Sequence, residues 1–272
     1  MSIWSKILDL IDADGPTNAT VGEDGYHSFD TSRYAFIDVE VGADDHKVYD
    51  IGALRYDDAI FHSASKIDFY HFIQDVDYLC GHNIVHHDAQ YLQVTDSHRW
   101  QLVDTLYMSP LLFPERPYHK LVKDDKLLSE QINNPVNDCR KAKDLLWDEI
   151  EKWHSLSLEK RMIYTALLRG NLEFDGFLNM VGASEVSSSL SVLINEVFGS
   201  KICKYADIDT IINQSPCALA YALALIDTTD TCSITPGWVL HTYPEVEGII
   251  KRLRHTPCKS GCSYCNTHVN IH

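Results

Sequence analysis

Two carboxylates, two residues apart in an apolar run, are the first side chains here that could do chemistry. The run is Arg33 to Gly42, RYAFIDVEVG. Tyr34, Ala35, Phe36, Ile37, Val39 and Val41 favour a strand, and Asp38 and Glu40 interrupt it. Residues i and i+2 of a strand share a face. Carboxylates packed side by side there repel each other and resist losing water. A divalent cation with oxygen ligands relieves both problems. Taken alone, D-x-E reads more readily as an ordinary exposed face of an edge strand, so further acids must decide.

Two more acids fall at suggestive places. Asp88 follows GHNIVHH, just past a short apolar strand, and Asp138 opens an amphipathic helix. If the first strand is central in its sheet, both can converge on it. Four such carboxylates suit two Mg²⁺ or Mn²⁺ ions, roughly 3.5–4 Å apart, that stabilise the attacking and leaving oxygens of a phosphoryl displacement.

A second cluster lies near the C-terminus. Cys258, Cys262, Cys265 and His268 have C-x₃-C-x₂-C-x₂-H spacing with a glycine inside. Three thiolates and an imidazole suit tetrahedral, structural Zn²⁺. In so polar a segment the metal would supply folding energy. C-x₃-C-x₂-C is also a cluster-binding pattern of radical S-adenosylmethionine enzymes, but a long barrel should follow it there. Cys80, Cys139, Cys203, Cys217 and Cys232 are scattered and read as buried free thiols of an intracellular protein.

The elements that must position these residues can be traced along the chain. Residues 1–30 form a leader, with a helix over 2–12 and then a loop. Strands follow at 33–41, 47–56 and in AIFHS, as an antiparallel meander. SKIDFYHFIQ has helical spacing. YLCGHN reads as a buried strand, HHDAQYLQV as a helix start, and QLVDTL as a strand running into the helix TLYMSPLLF. The order is βββαβαβα, an α/β domain with a mixed sheet flanked by helices. A polar connector, 114–134, has one short helix near Leu121. Pro135 then sits at a first helical position, with Asn133 or Asn134 to cap it. The amphipathic helix that follows carries apolar residues at 136, 139, 142, 145, 146 and 150. From Leu156 onward the chain reads as helices punctuated by Gly and Ser. The segments are 1–30 leader, 31–153 α/β domain, 154–250 helical region and 251–272 Cys/His metal-binding tail.

Taken in order, FIDVEVG, YDIGALRYDD, GHNIVHHD, LVDTL and NNPVNDCRKAKDLL resemble the DnaQ-like (DEDD) 3′–5′ exonuclease superfamily over residues 31–153. The resemblance implies a ribonuclease H-like sheet and hydrolysis of terminal phosphodiesters to nucleoside 5′-monophosphates. It implies that Asp38 bridges both metals and that Glu40 and Asp138 bind the nucleophile-side metal. Asp88 would support the other through water. His82 and Asn83 match the family's H-N pair, as substrate contacts or as hydrogen bonds shaping the turn. The wider span 31–272 resembles the exonuclease region that precedes a RecQ-like helicase in large bacterial proteins. That implies a helicase partner in cis or trans, single-stranded 3′ ends of DNA as substrate, and a role in repair or defence.

One departure is clear. The family's general base, a His five or a Tyr four residues before the last Asp, is replaced by Asn133 and Asn134. Loss of such a base typically costs about 10²–10⁴ in rate. His119, in the connector feeding the same helix, is the expected substitute, with His86 and His87 as others. The competing reading is a catalytically weak or inactive nucleic-acid-binding platform, with Asn133 retained as a substrate contact. A third is a 3′–5′ exoribonuclease, since the same acids serve RNA.

Composition bounds these readings. At 272 residues, 45% hydrophobic and 23% charged, the chain is globular in type. No apolar run of about 18 residues is present, and the acidic start is not a secretory signal, so a cytoplasmic protein without a membrane partner is expected. A net charge of −16 argues against bulk attraction to nucleic acid, so substrate must be delivered or gripped locally. There is no P-loop and no internal repeat.

Overall fold

The computed structural model describes residues 33–42, 44–95, 99–116, 119, 121, 134–183, 189–228 and 235–269. The leader with its expected helix over 2–12, Asn133 and nearly all of the connector lie outside these residues.

Five strands form one sheet in the order β3-β2-β1-β4-β5. They are β1 (Tyr34–Val41), β2 (Val48–Arg55), β3 (Ile60–His62), β4 (Tyr78–Gly81) and β5 (Gln101–Asp104). β1 pairs antiparallel with β2 and parallel with β4, so the sheet is mixed and β1 is its centre. Its composition explains that place. Tyr34 and Phe36 enter one core and Ala35, Ile37 and Val39 the other, so both faces of the strand are covered. Helices α1 (Lys66–Phe72), α2 (Asp88–Tyr91) and α3 (Thr105–Leu112) interleave with the strands in the expected order.

The next helix, α4 (Pro135–Ser155), matters most for the acids. Asn134 caps it by accepting from the Val136 N–H at 3.0 Å, and Pro135, which needs no hydrogen bond there, begins it. Its buried residues Val136, Cys139, Ala142, Leu146, Glu149 and Trp153 recur every three or four positions. From the same helix Trp147 meets Tyr34 and Phe36 edge-on, with ring centroids 5.7 and 6.4 Å away. This lays α4 across the β1 face that carries Tyr34, Phe36, Asp38 and Glu40.

The helical part shares that core. It comprises α5 (Leu158–Leu168), α6 (Leu172–Met180), α7 (Leu190–Phe198), α8 (Ile208–Gln214), α9 (Pro216–Asp227), α10 (Gly237–Thr242), α11 (Val246–Ile250), a π-helical turn at Lys251–His255, and α12 (Ser263–His268). Phe174, Phe177 and Tyr221 join Tyr34, Phe36 and Val103 in one cluster. Tyr221 Oη donates to the Tyr107 carbonyl at 2.8 Å. Gly176 brings α6 directly onto β5, where an added Cβ would stand 1.8 Å from the Leu102 carbonyl oxygen. The described helices of the 154–250 segment are therefore packed into the same core as one face of the sheet. Among the described residues no helix is long and apolar enough to cross a membrane.

Candidate metal centres

Carboxylate oxygens of Asp38, Glu40 and Asp138 lie within 4.8 Å of one another at the C-terminal end of the central strand. Local sequence explains how they meet. Asp38 lies opposite Gly52 of β2. A Cβ at Gly52 would stand 2.5 Å from the Pro135 carbonyl carbon and 2.6 Å from the Val136 nitrogen. Only glycine lets the first turn of α4 rest on the sheet there. The Cys139 thiol donates to the Gly52 carbonyl at 3.4 Å, and Asp138 is thereby held over β1. The β1–β2 register slips between Glu40 and Val41, so regular pairing ends where the acids begin to need room.

Asp88 approaches from behind. Its Oδ1 accepts from the Val39 N–H at 2.8 Å, between the two strand acids, and the residue is only 2% exposed. Burial raises its pKa above the ordinary carboxylate value, against the His87 imidazole and the Val39 N–H. Asp38 is pushed up to about 8, first by burial and then by Asp88, Asp138 and Glu40. Such a cluster retains a proton until cations offset the crowding. Lys141 Nζ, 3.7 Å from Asp138 Oδ1, offsets part of that charge. Asp50, opposite Glu40 on β2, is instead committed to His62, with Oδ2 2.6 Å from Nε2.

The histidines separate into distinct roles. His87 stands at the acids, with Nδ1 3.5 Å from Asp88 Oδ1 and its pKa raised, first by that contact. His86 is occupied elsewhere, with Nε2 2.9 Å from Glu173 Oε1 on α6. His119 does not reach the acids. It is buried behind α3 with Nδ1 2.8 Å from Ser109 Oγ, in a crevice formed with Pro110, Tyr221 and Leu225. Burial first, then the Arg116 charge, pulls its imidazole down to about 4. Its place in the connector suggested a route to the helix, but its side chain instead packs against the core.

His82 and Asn83 build the turn after β4. His82 Nδ1 lies 2.9 Å from Thr105 Oγ1, and the Asn83 N–H donates to Asp104 Oδ1 at 2.9 Å from a positive φ of 66°. Asp104, the acid of LVDTL, organises this corner. It also accepts from the N–H groups of Val85 and Leu106. Burial nevertheless pushes it up to about 7.

The second centre differs from expectation in one ligand. Sulfurs of Cys203, Cys258, Cys262 and Cys265 lie within 4.8 Å of one another. Cys203 is not an isolated core thiol. It sits between α7 and α8, its N–H donates to the Leu253 carbonyl at 2.7 Å, and its Sγ is 3.9 Å from Cys262 Sγ. A tetrahedron with Zn–S bonds of ~2.3 Å has S–S edges of ~3.8 Å. His268, the fourth ligand expected from spacing, faces away. Its ring stacks on Tyr264 with centroids 4.7 Å apart, and Nδ1 lies 3.1 Å from the Tyr264 carbonyl. The Cys262 N–H points at Cys258 Sγ (3.3 Å) and the Cys265 N–H at Cys262 Sγ (3.5 Å), as donors do toward thiolates. Burial opposes ionisation of Cys262, yet the N–H groups of Cys265 and Lys204 outweigh it and bring its thiol down to about 6. Four cysteines thus form a group that could hold a zinc-type ion. The flanking Lys204 and Tyr205 of Cys203, unlike the apolar neighbours of Cys80 or Cys217, were the available signal.

No protein-family model, no curated protein and no solved structure matches this chain, so the reading of both centres rests on their geometry.

Proposed function

We propose that the chain is a two-metal-dependent 3′–5′ exonuclease with a ribonuclease H-like sheet, acting on DNA. The observation that carries this reading is the meeting of Asp38, Glu40 and Asp138 at one strand end, with Asp88 bonded between the strand acids. The sheet order and the central position of the D-x-E strand support the fold assignment. The residues fit hard cations: all are oxygen donors, crowded enough that one stays protonated without a counter-charge.

Divalent cations held there would supply positive charge to the attacking and leaving oxygens. Asp38, Glu40 and Asp138 would hold the cations together. Asp88 fixes the β1 backbone from the rear through the Val39 N–H. His87, half-exposed beside them, is placed to accept a proton from water at the rim. In the reaction, water oxygen bonds to the terminal phosphorus and the P–O3′ bond breaks. The released 3′ oxygen takes a proton, and a nucleoside 5′-monophosphate leaves. A RecQ-like helicase would supply the single-stranded ends.

The four cysteines are assigned to structural Zn²⁺, which ties the C-terminal segment to the α7–α8 connection. The decisive assay follows stepwise shortening of a 5′-labelled DNA oligonucleotide with Mg²⁺ or Mn²⁺, beside its RNA equivalent. Wild type should shorten the DNA strand one nucleotide at a time, and Asp38→Asn or Asp138→Asn should lower the rate more than 10²-fold. Undiminished cutting by either variant, or no cutting by wild type, sinks the proposal.

A further inference from the structure

Charge along this chain is unevenly distributed. The last 25 residues carry Lys251, Arg252, Arg254 and Lys259 and no Asp or Glu, although the whole chain has a net charge of −16. The fold concentrates this basic stretch beside the four-cysteine centre. An open groove of about 430 Å³ runs there, with Cys203 and Cys258 in its wall. Its other walls include Tyr205, Arg252, Thr256, Lys259 and Ser260. Such a volume is in the range that admits a small organic group.

Tyr205 is 58% exposed, an unusual cost for a large aromatic side chain. Among the described residues no other ring packs against it, and neither Arg252 nor Lys259 closes a salt bridge. Asp207 shares the groove, but its Oδ1 caps α8 by accepting from the Thr210 N–H at 3.2 Å; its hydrogen bonds to Thr210 first, and the Arg252 charge last, lower its pKa. The groove thus combines an open aromatic face, cations that close no salt bridge, and small hydroxyls. Sequence-tolerant binding of single strands uses the same elements: bases stack on aromatic rings and phosphates meet Lys or Arg.

We infer that this groove, formed by Tyr205, Arg252 and Lys259 over the four-cysteine centre, binds single-stranded nucleic acid by one stacked base and its flanking phosphates. The choice of nucleic acid over other polyanions rests on the nuclease reading. The site itself does not need the acids to cut. It answers a difficulty set by composition: a chain this acidic repels a polyphosphate over most of its surface and must hold it where cations gather.

The test uses the full zinc-loaded chain in buffer without Mg²⁺ or Mn²⁺. Fluorescence anisotropy would follow a labelled dT₁₂ strand, an rU₁₂ strand and, as a polyanion control, polyglutamate. Wild type should bind the oligonucleotides and not polyglutamate. Tyr205→Ala should weaken binding about ten-fold or more, while Tyr205→Phe, which keeps the stacking face, should restore it. Arg252→Gln with Lys259→Gln should weaken binding and flatten the slope of log affinity against log salt by ~1.4. Zinc content measured on every variant shows whether the fold is intact.

Unchanged affinity and salt slope in zinc-replete Tyr205→Ala and Arg252→Gln/Lys259→Gln overturns the inference. So does loss of zinc without loss of binding, which would assign the cations to balancing the thiolates. Binding by a chain that cuts nothing would leave the groove standing and sink the nuclease. Cutting that survives all groove variants with unchanged KM would do the reverse.

Discussion

Replacing Asp38 by Asn should stabilise the metal-free protein at pH 8 and abolish its stabilisation by Mg²⁺ or Mn²⁺. The Asp38 carboxyl is raised from 3.8 to about 8, chiefly by burial and then by three neighbouring acids. The folded state therefore holds a proton that the unfolded chain releases, so stability falls as pH rises from 3.8 toward 8. Each unit in that window is worth about 1.4 kcal/mol, giving an upper bound of ~6 kcal/mol. The side chain is partly open to water, so screening reduces this to roughly 1–3 kcal/mol. Asparagine keeps the shape and removes the charge. The stabilisation should be near zero at pH 4 and reach its full size by pH 8, where it should raise Tm by ~2–4 °C per kcal/mol. The assay is thermal unfolding in buffers from pH 4 to 8, cleared of Mg²⁺ and Mn²⁺ by dialysis. A strong chelator would also strip the cysteine centre and must be avoided. Adding Mg²⁺ or Mn²⁺ should reverse the ranking, because only wild type gains from ligand binding. A gain in Tm that ignores pH, or equal metal-induced shifts in both proteins, would refute the crowded-carboxylate account.

Three further outcomes are expected. Gly52→Ala forces a methyl to 2.5 Å from the Pro135 backbone, so it should displace Asp138 from Asp38 and Glu40; nucleotide release should fall at least ten-fold and unfolding should cost about 1–3 kcal/mol less, read by rate and by urea denaturation. Purified protein should carry one zinc per chain; Cys203→Ser should lose it and His268→Ala should keep it, by elemental analysis after gel filtration, and retention by Cys203→Ser would return the fourth position to another ligand. Glu149 is fully buried in α4, and among the described residues neither carboxyl oxygen has a hydrogen-bond partner. Burial, reinforced by Asp104, raises its pKa well above 4.5. Stability should thus decline as pH climbs past 4.5, and Glu149→Met should stabilise the protein at pH 8 more than at pH 5 in urea titrations.

Local rules account for what the sequence determined alone. Alternation in RYAFIDVEVG set β1 and put Asp38 and Glu40 on one face. Pro135 behind a capping Asn set the start of α4, and the order of strands and helices followed from period and punctuation. Each depends on neighbours a few residues apart, which a linear text displays. The metal-ligand spacing in CKSGCSYC likewise located three of four sulfurs, because they sit within one turn-and-helix unit.

What remained needed contacts across long stretches of chain. Cys203 is 55 residues before Cys258, and it becomes the fourth sulfur because its N–H bonds to Leu253 and its loop packs beneath the C-terminal segment. His268 has ligand spacing, but the α12 turn lays its ring on Tyr264 instead. His119 precedes α4 in the chain, yet burial against Pro110 and Tyr221 draws it away from the acids that α4 carries. Gly52 looks like an ordinary strand glycine until Pro135 is found resting on it. Spacing fixes which side chains share a face. Which distant faces touch is decided by how the whole core packs, and that is a property of the fold.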